Sequence, residues 1–580
     1  MAKSLSKSTL LILAFFLSTL FLTAQNKTAV IPDNNTKKWW KEAIVYQLYP
    51  RSFKDSDGDG IGDLKGIISK LDYLKELAIT VVWLNPIYGS PNDDNGYDIS
   101  DYRNIMKDFG TMADFNVLLE GLHKRNIKLV MDLVVNHSSD EHEWFKQSRS
   151  SRTNPYRNYY HWWNAEKGKP NYRWSFFDVS SDAWKYDSLT NAYYLHYFSR
   201  KQPDLNWENP ALRKEIYNVM NFWLDKGIDG FRMDAFQFVS KDTSFPELPK
   251  GYQSDVIKYY GMGKNLHNYL KEMNKAVVSK YNIMTVAEGS GSTFEDAHNL
   301  VDANRKELNM AYHFEGMGIG TDPKGYKLLD FKNVYTRWDS AFAKNGWLSI
   351  FLGNHDVPRM VSKYGNDKPE FRTLSSKMLT TFIMTMRGTP YYYNGDELGM
   401  ENIKFDSIQD YQDIATINAY KNLQNTGGNL TEFLENAKFS SRDNARTPFQ
   451  WDNSSNAGFT TGKPWLKVNP DYKVVNAKAE AQDENSELNY FKKAVQLRKN
   501  NTVLVYGKYT LLDKNNPDVY AYTREMNGEK ILVLLNFKSV TSTVNTGLKL
   551  TTAKVLLGNY KNSSNDGTLK PYEAVVYLLK

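Results

Sequence analysis

Residues 128–137 read Lys-Leu-Val-Met-Asp-Leu-Val-Val-Asn-His, and this stretch indicates the class of fold. Its apolar run does not alternate with polar residues, and Asp132 is the one charge inside it. Such a continuous run is typical of a strand in a parallel sheet that is buried on both faces. The run then ends in Asn136 and His137, so polar side chains directly follow a buried strand.

Similar apolar runs recur along the chain, and helical patterns lie between them. Phe115, Leu118, Leu119 and Leu122 have the spacing of one helix face, and further helices are predicted near 212–226 and 266–280. The other predicted strands cover residues 43–48, 80–84, 230–234, 283–287, 347–353 and 389–393.

This alternation of strands and helices predicts an α/β fold, a (β/α)8 TIM barrel. A doubly wound sheet fits less well, because the chain has 580 residues and no glycine-rich phosphate loop follows the first strand.

The first 25 residues have the order of a secretory signal peptide. Lys3 and Lys7 precede an apolar run from Leu10 to Leu22, and Thr23-Ala-Gln25 follows. That run is shorter than the about 20 residues that a membrane-spanning helix needs. We therefore expect a secreted protein, periplasmic or extracellular, without an integral membrane span in its mature chain.

Two other segments depart from the barrel pattern. Residues 137–208 are rich in Tyr, Trp and Asn and predict an inserted, irregular domain B after the third strand. Short apolar runs near the C-terminus predict an antiparallel β-sandwich, with strands at 503–512, 519–523, 530–537, 553–557 and 574–579. The predicted organisation is a signal peptide (1–25), a first barrel part (26–136), domain B (137–208), a second barrel part (209–500) and a C-terminal domain (501–580).

Composition excludes several classes of protein. The net charge of +7 is spread over the whole chain without a long basic run, so no nucleic-acid partner is expected. Cysteine is absent, which excludes disulfides, thiolate catalysis and cysteine-ligated zinc. Aromatic residues make up 14% of the chain, which fits either large cores or a cleft that stacks sugars.

Charged side chains collect where predicted strands end. Beyond Asp132, Arg232 and Asp234 end one strand, Glu288 ends another, and Asn354-His-Asp356 follows a third. The C-terminal ends of all barrel strands meet at one face, so these groups should converge there. The sequence has neither a His-Glu-x-x-His zinc helix nor a serine-hydrolase elbow. Paired carboxylates without a metal motif indicate cleavage of a glycosidic bond.

Four of these stretches resemble the signature regions of the α-amylase family, glycoside hydrolase family 13. They are residues 132–137, 230–234, 287–288 and 354–356. Five more stretches resemble the oligo-1,6-glucosidase and α-glucosidase subgroup, and these are residues 39–43, 46–53, 94–101, 201–206 and 445–451.

The resemblance implies a retaining mechanism with three catalytic carboxylates. Asp234 would be the nucleophile, Glu288 the acid and base, and Asp356 the group that stabilises an oxocarbenium-like transition state. A retaining pair needs its carboxyl groups only about 5–5.5 Å apart. Arg232 lies two residues before Asp234 on the same face of a strand, so its charge is expected to keep that carboxylate ionised.

The resemblance also implies a pocket for one terminal glucose. His137 and His355 would bind its hydroxyl groups, Tyr97 would stack on the ring, and Asp94 and Arg442 would clamp the closed end. Phe198 and Gln202 match positions at the rim toward the next sugar. The substrate-binding set expected from the sequence is therefore Asp94, Tyr97, His137, Phe198, Gln202, Arg232, His355 and Arg442.

The function expected from this resemblance is a secreted α-glucosidase that hydrolyses terminal α-1,6 and/or α-1,4 bonds of short α-gluco-oligosaccharides. Ala235, directly after the nucleophile, leaves the linkage open, because relatives with different preferences differ at that position. A disaccharide isomerase or transglycosylase of the sucrose or trehalose type stays an alternative. A third alternative, a non-catalytic interaction ectodomain, would require a membrane anchor and the loss of catalytic carboxylates. Asp234, Glu288 and Asp356 are all present in the sequence.

An acidic loop predicts a structural calcium site. The stretch Asp55-Ser-Asp-Gly-Asp-Gly-Ile-Gly-Asp63 places carboxylates at alternate positions, as in the first part of a calcium-binding loop. The glutamate of a helix–loop–helix sensor is missing, because Gly66 occupies its position. The expected ligands are Asp55, Asp57, Asp59, the Ile61 carbonyl and Asp63, and no organic cofactor is expected.

Overall fold

The structure is a computed structural model that describes residues 36–321, 325–563 and 565–579. The predicted signal peptide, residues 1–25, lies outside the described residues. In the described part of the chain, no helix has the length and apolar character needed to cross a membrane.

Eight parallel strands form the central sheet: β1 (Val45–Leu48), β2 (Val81–Leu84), β3 (Lys128–Val134), β4 (Gly230–Asp234), β5 (Met284–Ala287), β6 (Met310–Ala311), β7 (Ser349–Ile350) and β8 (Thr389–Tyr393). Their order in the sheet is β6-β5-β4-β3-β2-β1-β8-β7. Ala311 and Leu348 form a parallel bridge between the two outer strands, which closes the sheet into a barrel.

The barrel strands are buried on both faces, which explains their unbroken apolar runs. Val130 belongs to the cluster that fills the barrel, whereas Leu129 and Met131 pack outward against the surrounding helices. The longer helices are Met112–His123, Pro210–Asp225, Leu266–Ala276, Leu328–Ala341, Arg372–Thr385, Ile414–Thr426, Leu430–Ser440 and Glu487–Asn500.

The fold class predicted from the sequence is confirmed, and the differences concern individual strands. The sixth strand was missed, because it has two residues and carries no recognisable apolar run. The run predicted as a strand over 347–353 is extended only at Ser349–Ile350. Leu348 before it forms the single bridge to Ala311, and residues 351–353 after it begin the loop that carries His355 and Asp356.

The segment between β3 and the helix Pro210–Asp225 forms a separate layer above the barrel. It contains the helix Glu143–Ser150 and a three-stranded antiparallel sheet, Trp162–Asn164, Ala192–Leu195 and Trp184–Asp187, which the sequence did not predict. Its end returns to its beginning, because Leu205 N donates to Asn136 O over 2.9 Å. The layer is thus fixed above the C-terminal end of β3.

The C-terminal part is a five-stranded antiparallel sheet with a two-stranded ribbon on one face. The ribbon pairs Ser542–Thr543 with Thr568–Leu569. The sheet order is β9-β10-β11-β13-β12, from β9 (Lys508–Leu512), β10 (Val519–Met526), β11 (Glu529–Asn536), β12 (Lys554–Gly558) and β13 (Ala574–Leu579). The strand predicted over 503–512 is wrong in its first half. Residues Thr502–Tyr506 form a helix, because their apolar side chains pack at the junction with the barrel.

Two buried arginines join this sheet to the barrel. Arg524 of β10 donates to the carbonyls of Thr385 (2.5 Å), Leu504 (2.7 Å) and Gly507 (2.9 Å). Arg498 donates to neighbouring helix-end carbonyls. Burial lowers the pKa of Arg524 to about 10 and that of Arg498 to about 9. Both side chains therefore act chiefly as multiple donors to carbonyls near helix ends, and they share the Leu504 carbonyl.

We expect Arg524→Met to destabilise this junction. The substitution removes the donors of three buried carbonyls, so the free energy of unfolding should fall by about 2–4 kcal/mol, as measured by urea denaturation. Lys554→Met, on the exposed strand β12, should change it by less than about 0.5 kcal/mol. Equal effects of both substitutions would contradict this account of the junction.

Candidate active site

A cavity of about 250 Å³ opens at the C-terminal ends of the barrel strands. Its walls come from the strand ends, from the inserted layer and from residues near 415 and 442. The lining residues are Asp94, Tyr97, His137, Phe177, Phe198, Asp234, Ala235, Glu288, His355, Asp356, Ala415 and Arg442. Nine of the predicted site residues are thus together. Gln202 and Arg232 do not line the cavity, but they contact residues that do.

Asp234 and Glu288 lie side by side because β4 and β5 are neighbours in register. Met233 pairs with Ala287, and the Glu288 amide donates to Met233 O over 3.0 Å. Ala235 then turns the chain in a left-handed conformation (φ 45°), which is unusual for a residue with a Cβ. This turn aims the Ala235 amide at Glu288 Oε2, 2.7 Å away. The backbone therefore fixes the two carboxylates relative to each other.

Arg232 lies between three carboxylates at the top of the barrel. Its Nη1 donates to Asp132 Oδ1 over 2.8 Å and forms a short contact with Asp234, and its Nη2 lies 2.5 Å from Glu288 Oε1. Asp132 also accepts from Trp83 Nε1 (3.1 Å). One positive charge thus neutralises only part of three negative ones.

This arrangement favours a proton on the carboxylate cluster. Burial raises the pKa of Asp234 well above its usual value, Glu288 adds to the increase, and Arg232 opposes it. Burial likewise raises the pKa of Asp132 to about 6. The sequence predicts that Arg232 keeps Asp234 ionised, but in the structure the charge of Arg232 only partly opposes the effect of burial on the pKa of Asp234.

Asp356 has the opposite electrostatic environment. Arg442 Nη1 and Arg446 Nη2 each lie 3.1 Å from its Oδ1. Burial alone would raise its pKa, but His355 and the two arginines outweigh burial and hold the pKa well below the usual range. Asp356 is therefore a permanent negative charge in the cavity wall.

His137 and His355 are buried and neutral. Burial lowers the pKa of each to about 3. The Gln47 amide donates to His355 Nδ1 over 2.7 Å, and His355 Nε2 lies 3.2 Å from Asp356. His355 therefore carries its proton on Nε2. The Tyr97 ring stacks on His355 with a centroid separation of 5.2 Å, which presents an aromatic surface to the cavity.

An ion pair closes the deep end of the cavity. Arg442 Nη2 lies 3.2 Å from Asp94 Oδ1, and Gln202 Nε2 donates to Asp94 Oδ2 over 3.1 Å. Burial raises the pKa of Asp94 to about 6, although Arg442 opposes this increase. Arg442 is held in turn by Asp413, whose Oδ1 accepts from its Nε over 2.9 Å.

Sequence reasoning missed four residues of the site. Phe177 and Ala415 line the cavity, while Asp413 and Arg446 bind Arg442 and Asp356 from behind. Arg446 lies in the stretch 445–451, which resembles the α-glucosidase subgroup, so the sequence carries a signal for this residue. Asp413 and Ala415 carry no such signal, because they lie at the start of the helix Ile414–Thr426, outside every stretch that resembles the family.

The acidic loop brings three of the five predicted calcium ligands together. Carboxylate oxygens of Asp55, Asp57 and Asp63 lie within 4.8 Å of one another, whereas Asp59 is outside this group and accepts from the Ile61 amide over 2.7 Å. Such hard oxygen donors suit calcium. Asp55 also accepts from the Gly58 (2.7 Å) and Gly60 (2.8 Å) amides, so backbone donors already hold part of the loop. None of these residues lines the cavity.

Comparisons with known proteins cover almost the whole chain. A family model described as the alpha amylase catalytic domain matches residues 47–507, and one described as the maltogenic amylase C-terminal domain matches residues 509–576. The chain is 51% identical to an oligo-1,6-glucosidase of Parageobacillus thermoglucosidasius (93% of this chain, 99% of that protein). It is 50% identical to an oligo-1,6-glucosidase of Bacillus cereus (94% and 100%).

Among solved structures, the trehalulose synthase of Pseudomonas mesoacidophila MX-45 is similar with a TM-score of 0.90. Its sequence identity is 45%, and the match covers 94% of this chain and 100% of that one.

The depressed histidine pKa values predict a distinctive titration. His137 and His355 should stay neutral between pH 8 and pH 5, with His355 as the Nε2–H tautomer, which nitrogen-15 NMR of histidine-labelled protein measures. In the unfolded chain their pKa is about 6.5, so the stability they contribute should be lost as the pH falls below that value. Protonation of either ring near pH 6.5 in the folded protein would contradict the described burial.

Proposed function

The chain belongs to the α-amylase family and is a glycoside hydrolase, and from this premise we propose that it is a retaining α-glucosidase. It would release glucose from the ends of short α-gluco-oligosaccharides. The observation that carries the proposal is that Asp234 and Glu288 line, with Arg232 between them, a cavity that Asp94 and Arg442 close at its deep end.

The closed end favours cleavage at a chain terminus. Asp94 and Arg442 are bound to each other, and Asp413 holds Arg442 from behind. A glucan chain could not pass through this wall, so only its terminal glucose would enter. Tyr97 would stack on that sugar, and the neutral His137 and His355 would hydrogen-bond its hydroxyl groups.

The proposed reaction begins with attack on the anomeric carbon. An Asp234 carboxylate oxygen forms a bond to that carbon while the glycosidic C–O bond breaks. Glu288 gives its proton to the leaving oxygen, so the leaving sugar departs neutral. The productive proton distribution therefore places the proton of the cluster on Glu288 and the negative charge on Asp234. Arg232 contacts both groups and stabilises either charge distribution.

The second step reverses these roles. Glu288, now a carboxylate, takes a proton from a water molecule, and the water oxygen attacks the anomeric carbon from the side that the leaving sugar vacated. The bond to Asp234 breaks, and its carboxylate is restored together with the proton on Glu288. In both steps the permanent charge of Asp356 would stabilise the positive charge that develops on the sugar ring.

The high identity to two oligo-1,6-glucosidases supports α-1,6 hydrolysis as the main activity. One observation favours a second candidate, a disaccharide isomerase. The solved trehalulose synthase has the same fold, and Ala235 gives the cavity a small side chain beside the nucleophile, which leaves room for an acceptor sugar. Both activities use the same covalent intermediate, and they differ in which molecule attacks it.

Product analysis of the purified enzyme tests this proposal. We expect glucose from isomaltose, with slower release from maltose, and no new disaccharide from sucrose or trehalose. Asp234→Asn should lower kcat by at least about 10³-fold, because the nucleophile is lost. Asp242→Asn, an exposed carboxylate outside the cavity, is the matched control and should leave kcat unchanged.

New disaccharides in place of glucose would favour the isomerase. An Asp234→Asn enzyme as active as the wild type would contradict the catalytic assignment itself.

We also propose that the acidic loop binds calcium through Asp55, Asp57 and Asp63, with Asp59 and the Ile61 carbonyl drawn in. The support is the clustering of three carboxylates on a loop that packs against the 459–465 segment, where Trp465 N donates to Gly60 O over 3.0 Å. Calcium would stiffen this loop and take no part in the reaction.

Calcium at 100 times its Kd should raise the melting temperature by roughly 2–5 °C over protein in EDTA. Magnesium at the same concentration should have little effect, because it demands a stricter octahedral geometry. Asp57→Asn should abolish the calcium shift and leave the melting temperature in EDTA unchanged, since Asp57 is exposed. A wild-type protein without a calcium shift would mean that backbone hydrogen bonds alone hold the loop.

The sequence of residues 1–25 further supports export from the cytoplasm. We propose that the enzyme acts on oligosaccharides in the periplasm or outside the cell.

A further inference from the structure

Two segments that are distant in sequence form the mouth of the cavity. Deep lining residues such as Asp94 and His355 are almost fully buried, whereas Phe177 and Ala415 are half-buried and lie toward solvent. Phe177 belongs to the inserted layer, and Ala415 belongs to the helix Ile414–Thr426. The opening of the cavity is therefore formed where these two segments meet.

Two asparagines connect the segments. Asn418 Nδ2 donates to Phe177 O over 2.9 Å, and Asn422 Nδ2 donates to Val179 O over 2.6 Å. Asn418 and Asn422 are four residues apart and so lie on the same face of the helix. We call this pair of hydrogen bonds the asparagine latch.

Little apolar burial supports the helix that carries the latch. Thr416 is the buried residue among Ile414–Thr426, and the helix start is held by polar contacts of Asp413, which caps the helix and binds Arg442. A segment with few buried apolar contacts opens locally at low free-energy cost. Ile417 and Tyr420 pack on the neighbouring helix Leu430–Ser440, and the latch adds the hydrogen bonds that join the helix to the inserted layer.

The latch also fixes the Phe177 ring over the charged wall of the cavity. The Arg442 guanidinium lies 4.7 Å from the centre of that ring, and the Phe198 ring lies 5.5 Å away. Arg442 is in turn held to Asp356. Asn418 binds the carbonyl of Phe177, and the Phe177 ring packs on Arg442. The position of the Phe177 ring therefore depends on the inserted layer and on the helix Ile414–Thr426.

We propose that Asn418 and Asn422 are positioning residues for the subsite that binds the leaving sugar and, after the first step, an acceptor sugar. They act through Phe177, whose ring forms the wall that such a sugar contacts. The inference rests on the proposed α-glucosidase function. The two asparagines would help to determine which leaving sugar the enzyme prefers.

Two substrates with different leaving groups test the latch. Isomaltose has a leaving glucose that would contact the mouth, whereas in α-glucosyl fluoride the leaving fluoride is too small to reach Phe177. In the double variant Asn418→Ala/Asn422→Ala, kcat/KM for isomaltose should fall about tenfold through loss of two hydrogen bonds that hold the wall. The value for α-glucosyl fluoride should stay within about twofold, because the fluoride does not extend to Phe177 and neither substituted asparagine lines the cavity.

The acceptor side gives a second readout. With α-glucosyl fluoride as donor and isomaltose as acceptor, the share of glucosyl groups transferred to sugar rather than water should fall about fivefold. Asn425→Ala is the matched control, since Asn425 is an exposed asparagine of the same helix and none of the hydrogen bonds of the described chain involves its side chain. This variant should behave as the wild type with both substrates.

Hydrogen exchange separates the latch from the proposed function. Amides of residues 176–181 should exchange about tenfold faster in the double variant than in the control. If the double variant lost kcat/KM equally with both substrates, the asparagines would have only a structural role. If its kcat/KM equalled that of the wild type, they would have no role in the reaction. Either result would overturn the inference. A wild-type enzyme inactive on both substrates would instead refute the proposed function, and unchanged exchange would then refute the latch independently.

Discussion

One buried guanidinium shared by three carboxylates is the constraint on which the site depends. Arg232 is placed by the barrel itself, because β3 and β4 pair Asp132 with Arg232 in register. The same strand carries Asp234 two residues later, and the next strand carries Glu288. Asp132 and Arg232 are fully enclosed, and Asp234 and Glu288 have limited access to water through the cavity. They must neutralise one another or retain a proton.

That constraint suits a reaction that moves one proton and one negative charge. A carboxylate pair that is fully ionised would lack an acid, and a pair that is fully protonated would lack a nucleophile. The left-handed turn at Ala235 contributes to this balance, because it places a backbone amide on Glu288 as well as directing the chain away from Asp234. Asp356, bound by Arg442 and Arg446, adds a fixed negative charge to the wall of the same cavity. The cavity therefore combines a group that exchanges protons with one that does not.

Much of this could be predicted from the sequence, for identifiable reasons. Unbroken apolar runs predict the longer barrel strands. The stretch 230–234 predicts the bounds of one strand and places Arg232 and Asp234 at its C-terminal end. Short-range patterns failed where tertiary packing decides the local structure. Residues 503–506 are apolar enough for a strand but form a helix turn at the junction with the barrel, and Met310–Ala311 is too short to detect. Phe177, Asp413 and Asn418 meet only in the folded chain, so no local spacing relates them.

The stereochemistry of the first product tests the central claim most directly. Isomaltose hydrolysis followed by proton NMR, at times short against mutarotation, shows which anomer of glucose is released. A covalent bond to Asp234, formed and then broken with inversion at each step, predicts α-glucose as the first product. Release of β-glucose would mean that water attacks directly, and that Asp234 and Glu288 do not act as the closely spaced pair described above.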